Sequence, residues 1–229
     1  MSVVDLGLQP PANALLASLD DAATELRFPL ELFRCRHCGL LQLLDVVDPE
    51  ILFGHYLYLT GASSTMRTHF KDYARAVVRD AGLEHGARVC EIASNDGSLL
   101  QGFLDDGCSV LGIEPARNVA AIARERGIDT DCRFFDLAEA AKIRDQHGAF
   151  AVAVANNVLA HVDEPVGFLA GMRRLVEPQG WVVVEVPWAA EMYERLEYDT
   201  IYHEHLSCFL ITPLLAIFER AGLSVRKLD

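Results

Sequence analysis

The sequence predicts a doubly wound α/β domain with a mostly parallel sheet, preceded by a small hairpin module built on two cysteines. Three observations carry this expectation. Short apolar runs at 88–93, 109–113, 149–157 and 181–186 alternate with helical segments, the pattern of parallel strands buried on both faces. The first run breaks at Ser94-Asn95-Asp96-Gly97 into a helix, and the second ends on an acid, Glu114. Upstream, Cys35-Arg-His-Cys38-Gly39 lies between the apolar runs 28–33 and 40–44.

At 229 residues the chain can hold one full domain and an appendage, divided here into 1–60 and 61–229. A formal charge of -13 disfavours nucleic acid and anionic membranes, whose phosphates are bound by Lys/Arg clusters. No apolar run approaches the roughly 20 residues that span a bilayer. Met-Ser-Val-Val-Asp has neither a basic nor an apolar leader region, so no signal peptide and a cytoplasmic location are expected. Six cysteines in that setting read as thiols or metal ligands rather than disulfides.

In chain order, glycine and two prolines make the start, Leu-Gly-Leu-Gln-Pro-Pro, loop-like. The C-x-x-C-G turn then reads as a zinc knuckle that aims Cys35 and Cys38 at one metal. His37 is expected to point away. Tetrahedral zinc needs four ligands, so this is a half site, and structural zinc is a candidate with incomplete ligation. The other cysteines read as small buried hydrophobes beside strands of the main domain. Tyr56 and Tyr58 lie in an aromatic-then-small segment, either core or a lid over a substrate. Ser63 or Ser64 caps a helix over 66–80 that packs through Phe70, Tyr73, Ala74, Val77 and Val78.

The strand-turn-helix-strand unit over 88–118 can form a nucleotide pocket, with Glu114 accepting hydrogen bonds from ribose hydroxyls. The plain alternative is an ordinary α/β turn with a solvated acid at a strand end. The turn is not G-x-G-x-x-G, since of Ala93, Asn95 and Gly97 only the last is a glycine, which works against a dinucleotide pyrophosphate. A phosphate-free ligand such as S-adenosylmethionine suits this loop better. A helix over 119–126 and a strand at 132–135 follow, and an aromatic at its end (Phe134 or Phe135) can stack on adenine. The 149–157 strand ends on Asn156-Asn157, and His161 follows at the carboxyl edge of the sheet, where open α/β folds bind ligands. A helix over 168–175 stops at Pro178-Gln-Gly180 before the strand at 181–186.

Next come Tyr202-His203-Glu204-His205, four proton carriers in succession. In extended backbone Tyr202 and Glu204 share one face and the two histidines the other; in a helical turn Tyr202 meets His205. Either arrangement offers a general base and its orienters. A helix over 213–221 and an edge strand over 223–228 complete the reading, one antiparallel strand short of a methyltransferase sheet.

Taken together, Cys35-x-x-Cys38-Gly-Leu-x-Gln-Leu, Pro49-Glu-x-Leu-Phe, Glu91-Ile-Ala-Ser-Asn-Asp-Gly, Gly112-Ile-Glu-Pro-Ala-x-Asn-Val-Ala, Ala155-Asn-Asn-Val-Leu-Ala-His and Asp199-Thr-Ile-Tyr-His-Glu-His resemble one family over nearly the whole chain. It is that of the zinc-containing, S-adenosylmethionine-dependent C-methyltransferases acting on nucleotide-linked keto-deoxysugars of antibiotic glycosides. The resemblance implies a Rossmann-like class I methyltransferase sheet behind a zinc-knuckle-like module. It also implies a dTDP-linked 4-keto sugar that is enolised by a base and methylated at C3.

By this resemblance His205 is the base, Tyr202 and Glu204 position it or shuttle protons, and His161 polarises the ketone. Glu91, Ala93, Asn95, Asp96, Gly97, Glu114, Pro115, Phe135, Asn156 and Asn157 form the cosubstrate pocket, with Tyr56 and Tyr58 at the sugar. Family members carry an earlier C-x-x-C and a further carboxy-terminal domain, both expected to be missing here. The alternatives are an O- or N-methyltransferase, an oxidoreductase using NAD, and a non-catalytic cofactor-binding fragment. Oligomeric state is left open.

Overall fold

The computed structural model describes residues 1–16, 18–54 and 56–229. Its first element is a strand, β1 (Ser2–Gln9), where a loop was expected. β1 pairs antiparallel with β2 (Phe28–Arg34) despite register shifts between Ser2 and Val4 and between Asp5 and Leu8. Gly7, with φ +70°, absorbs the second irregularity while its N–H donates to Asp5 Oδ1 at 2.8 Å. The glycine therefore makes a bulge inside the strand rather than ending it. β2 turns at Cys35–Gly39 into β3 (Leu41–Leu43), closed by Cys35 N–H to the Leu40 carbonyl at 2.8 Å.

Helix α1 (Pro49–Phe53) starts on Asp48, whose side chain accepts from the Glu50 N–H. A 3₁₀ turn at Thr60–Ala62 leads to α2 (Ser64–Asp80), capped by Ser63. The main sheet is then laid down in strict alternation. β4 (Arg88–Ile92), α3 (Ser98–Asp105), β5 (Ser109–Ile113), α4 (Arg117–Glu125) and β6 (Thr130–Asp131) form one half. α5 (Leu137–His147), β7 (Phe150–Asn156), α6 (Pro165–Leu175) and β8 (Val176–Glu185) form the other. α7 (Ala189–Glu194), β9 (Ser207–Cys208) and α8 (Ile211–Arg220) follow.

The five strands lie in the order β6-β5-β4-β7-β8, all parallel. The order reverses beside β4, which opens a crevice at the carboxyl ends of β4 and β7. Both faces are covered, because alternate residues of one strand serve opposite cores. Cys90 and Ile92 join Leu111, Phe168 and Met172 on one side. Val89 joins Phe70, Leu99, Phe103 and Val152 on the other. α2 and α3 approach closely at Gly102, where a Cβ would come within 3.0 Å of the Ala74 Cβ.

Several expectations need correction. The strand expected at 132–135 is confined to Thr130–Asp131, because Asp136 instead caps α5 by accepting from Glu139 N–H at 2.7 Å. Phe134 and Phe135 are therefore loop residues, and Cys132, read as buried, is exposed. Pro178-Gln-Gly180 does not separate α6 from its strand. β8 begins at Val176, which pairs with Phe150, and Trp181 pairs with Val152, so the intervening residues bulge out of the ladder.

The strand expected at 223–228 does not form. Leu223 N–H closes the end of α8 on the Phe218 carbonyl at 2.9 Å, and no ladder partner is engaged. Cys208, assigned to the main domain, sits in β9, which pairs antiparallel with β3 (Leu41 opposite Cys208). The hairpin module's sheet thus runs β1-β2-β3-β9 and recruits the chain that follows the main sheet.

Candidate active site

A cavity of about 1000 Å³ occupies the crevice. Its walls come from the ends of β4 (Glu91, Ala93, Asn95), β5 (Glu114, Pro115) and β7 (Asn156, Asn157), with Phe135 beside them. α1 and the strap behind it add Phe53, Tyr56, Tyr58 and Thr60, and the far end holds His161, Tyr202, His203 and His205. The crevice therefore gathers residues separated by more than a hundred positions.

The turn after β4 carries alanine and asparagine at two positions that adopt glycine conformations. Ala93 has φ +53°, Asn95 φ +49° and Gly97 φ +75°. Left-handed backbone at a non-glycine residue costs on the order of 1–3 kcal/mol and persists only where surroundings enforce it. Here Glu114 enforces it, with Oε2 accepting from Asn95 N–H and Oε1 from Ala116 N–H, both at 2.8 Å. Burial pushes the Glu114 carboxyl up, against the pull of those two N–H groups. Each of its oxygens can accept a second hydrogen bond. The Asn95 side chain accepts from Thr60 N–H at 3.1 Å and donates to the Tyr58 carbonyl at 3.0 Å, tying the strap to the turn.

Three residues placed in the site from sequence stand outside the cavity wall. Gly97 faces Ile128, whose Cγ1 a Cβ would meet at 2.7 Å. Asp96 is fully buried and points the other way. Its Oδ1 accepts from Thr60 Oγ1 at 3.0 Å and Ser98 Oγ at 2.6 Å; its Oδ2 accepts from Gly61 N–H at 3.0 Å and meets Arg126 Nη1 at 2.8 Å. Glu204 lies on the wall of a second cavity of about 310 Å³ behind Tyr56, accepting from Asn13 Nδ2 at 2.6 Å and the Tyr56 hydroxyl at 3.4 Å.

Glu91 carries a buried Oε2 with no partner among the described residues, as does Asn156 through Nδ2. Burial, reinforced by the charges of Glu114 and Asp96, holds the Glu91 carboxyl well above the usual range. Asn156 Oδ1 accepts from the Tyr73 hydroxyl at 2.9 Å. Asn157, another left-handed residue at φ +55°, is fixed by its Nδ2 donating to Glu185 Oε1 at 3.1 Å.

Of the two arrangements open for residues 202–205, the chain takes the turn: His205 N–H donates to the Tyr202 carbonyl at 2.9 Å. His205 Nδ1 lies 2.8 Å from the Thr200 carbonyl, which can only accept, so Nδ1 carries the proton. Nε2 is then the bare nitrogen, and the Tyr202 hydroxyl donates to it at 3.0 Å. Burial lowers the His205 imidazole below its ordinary value and raises the Tyr202 phenol to about 12. His161, its ring 5.0 Å from that of His205, is pushed down to about 4 by burial and by its neighbour. Both imidazoles are neutral at pH 7.

Sequence reasoning passed over Asn13 and Thr60 and gave Asn118 and His203 no role in the site. Asn118 clamps the strap by donating from Nδ2 to the Tyr56 carbonyl at 2.6 Å and accepting Tyr56 N–H at 3.2 Å. The Pro-Pro-Ala-Asn and Leu-Thr-Gly stretches hold Asn13 and Thr60, small polar residues beside apolar ones. Their partners lie far away in sequence, so spacing could not reveal them.

A family model described as a methyltransferase domain matches residues 66–228. The chain belongs to that family. A second, described as "Putative zinc binding domain", matches residues 1–53. The chain is 36% identical over 225 residues to the C-methyltransferase NovU of Streptomyces niveus, which covers 98% of the chain and 54% of that protein. It is 30% identical over 106 residues to the ubiquinone biosynthesis O-methyltransferase of Bordetella avium, covering 44% of the chain and 43% of that enzyme. The chain thus spans about half the length of these curated relatives. A SAM-dependent methyltransferase from Archaeoglobus fulgidus superposes with a TM-score of 0.57 at 16% identity over 68% of each chain, which establishes the methyltransferase fold.

The cysteine turn is the part of the methyltransferase that falls short of a metal centre. Cys35 is half-buried and Cys38 exposed. The Cys38 and His37 N–H groups, in that order, draw the Cys35 thiol down to about 7. Among the described residues no cluster of three or more His, Cys, Asp or Glu side chains could hold a metal ion. Two thiolates supply half of a tetrahedral zinc shell. Among the described residues no helix is long and apolar enough to cross a membrane.

Proposed function

We propose that the chain binds S-adenosylmethionine in this cavity and transfers its methyl group to C3 of a nucleotide-linked, dTDP-carried 4-keto-deoxysugar. The observation that carries the reading is the Thr200–His205–Tyr202 arrangement, a neutral imidazole whose unprotonated nitrogen meets the Tyr202 phenol at the cavity. Carbon methylation needs a base to enolise the ketone, a step that transfer to an oxygen or amine does not include. The printed name of NovU, a C-methyltransferase, supports the same choice.

The walls fit the cosubstrate. Glu91 Oε2 and Asn156 Nδ2, buried and unpartnered, suit the ammonium and carboxylate of its amino-acid portion. Glu114 retains acceptor capacity for ribose hydroxyls, and Phe135 offers an aromatic surface for adenine. Bound S-adenosylmethionine supplies an electrophilic methyl group on a cationic sulfur.

The residues at the far end then act on the sugar. Once the Tyr202 O–H turns from Nε2 toward the ketone oxygen, His205 Nε2 takes the C3 proton, and the electron pair of the C–H bond moves toward that oxygen. The His205–Tyr202 contact is thereby reversed: the new Nε2–H donates to the phenol oxygen, and the phenol hydrogen faces the developing enolate. His161, neutral at this pH, donates an N–H to the same oxygen. Removing such a donor typically lowers rates about 10²–10³-fold. Glu204, tied to Asn13 and Tyr56, positions the turn and the strap.

The test is His205→Gln, assayed with dTDP-4-keto-6-deoxyglucose in D₂O. Exchange of the C3 hydrogen, read by NMR, and methylation should fall together by about 10²–10⁴-fold, with S-adenosylmethionine affinity unchanged. Methyl transfer that survives this substitution overturns the C-methylation reading in favour of an O- or N-acceptor. Failure of the wild type to bind S-adenosylmethionine overturns the enzyme reading altogether.

A further inference from the structure

We propose that His203 is a substrate-binding residue whose Nδ1 accepts a hydrogen bond from a hydroxyl or amino substituent of the sugar ring; this rests on the keto-sugar reading above. His203 has no part in the proton chemistry, and its ring is only 1% exposed. Its Nε2 lies 3.2 Å from the Phe28 carbonyl of β2, and the ring stands edge-on to Phe28 with centroids 6.0 Å apart. A carbonyl only accepts, so the contact fixes the proton of the neutral ring on Nε2. Nδ1 is left as an acceptor.

That acceptor is buried and has no partner among the described residues, although His203 lines the main cavity. A buried acceptor left unpaired carries its full desolvation penalty, which a ligand donor would relieve. A residue that served only to tie the catalytic turn to β2 would need Nε2 alone. The second nitrogen therefore has a selective use: it accepts from O–H or N–H and repels a carbonyl oxygen. His203 thus holds a ring substituent while the ketone turns toward His161 and Tyr202.

Two substitutions separate the nitrogens. Glutamine places its amide nitrogen where Nε2 was and keeps the bond to Phe28; asparagine places an oxygen near Nδ1 and loses that bond. His203→Gln should fold, and should bind S-adenosylmethionine and free dTDP as the wild type does. It should bind dTDP-4-keto-6-deoxyglucose about 10-fold more weakly. His203→Asn should be less thermostable yet recover most of the sugar affinity. On the wild type, ¹⁵N NMR should show His203 protonated at Nε2 only, with the Nδ1 resonance moving when the sugar is added.

Unchanged sugar affinity in His203→Gln, or an Nδ1 that is protonated or indifferent to the sugar, overturns the proposal. Wild-type protein that binds S-adenosylmethionine but not the keto sugar overturns the substrate reading and this assignment with it. Sugar binding by the wild type with no change in the variant overturns this assignment alone.

Discussion

Replacing Asp96 by asparagine separates the fold's hold on the strap from the chemistry of the cavity. The substitution keeps Oδ1, which serves Thr60 and Ser98, and exchanges Oδ2 for an amide nitrogen. Oδ2 now accepts from Gly61 N–H at 3.0 Å and pairs with Arg126 at 2.8 Å, so the amide would set a donor against two donors. Each buried mismatch costs about 1–3 kcal/mol, and the Arg126 side chain, 45% exposed, can turn to water and sits at the low end. A loss of about 3 kcal/mol lowers the melting temperature by about 6–12 °C for a chain of this size. Because Gly61 and Thr60 are the strap's anchors, S-adenosylmethionine affinity should also fall.

The pH dependence gives a second reading of the same change. Burial disfavours the ionised Asp96, but hydrogen bonds from Ser98 and Thr60 and the charge of Arg126 outweigh it and hold the carboxyl below its usual value. That stabilisation is complete above the unfolded value of about 4 and disappears as pH falls through the lower folded value. The gap between wild type and Asp96→Asn should therefore be widest near neutrality and close in acid. Thermal scans at pH 7 and pH 3 with calorimetry of S-adenosylmethionine would check it. A variant that melts within a degree of the wild type at pH 7 and binds equally well would refute the reasoning.

Three further outcomes follow from the same geometry. Glu91→Gln should leave the fold as stable or more stable at pH 7, because a carboxyl with a raised folded value loses stability as pH climbs from about 4 toward that value; S-adenosylmethionine should bind about 10-fold more weakly, and unchanged affinity would remove Glu91 from the pocket. Since burial depresses both His161 and His205, the folded state resists their protonation, so acidification from the unfolded value of about 6.5 should cost stability down to about pH 4 for His161; between pH 7 and pH 4 the melting temperature of the wild type should fall relative to that of a His161→Phe/His205→Phe pair, and parallel curves would refute this. Gly97→Ala should destabilise by about 2–4 kcal/mol through left-handed strain and the contact with Ile128, while cosubstrate affinity stays near normal in the folded protein. Weakened binding at a temperature where the variant is fully folded would return Gly97 to the cavity wall.

Features that depend on neighbours along the chain are legible in the amino-acid order. Four apolar runs with helical spacers led to β4, β5, β7 and β8 within a few residues, because strands buried on both faces must be almost wholly apolar. The reversal of strand order beside β4 put Glu91, Asn95, Glu114 and Asn156 at one crevice, as the pattern implied. Boundaries failed where pairing outweighed local preference. Gly7 was absorbed as a bulge because β2 offered a ladder, Pro178 and Gly180 bulged out of β8, and residues 223–228 form no strand.

Which proton carriers meet depends on packing between distant segments. Tyr202, His203, Glu204 and His205 are equivalent in the sequence, yet each finds a different partner. His205 faces Tyr202, Glu204 turns to Asn13 and Tyr56, and His203 reaches Phe28. Asp96 and Gly97 likewise share a motif with Asn95 but point away from the cavity, toward Arg126 and Ile128. A buried polar group must be hydrogen-bonded wherever a partner lies within reach. Those partners come from segments up to 191 residues distant, whose positions are set by the packing of the whole chain.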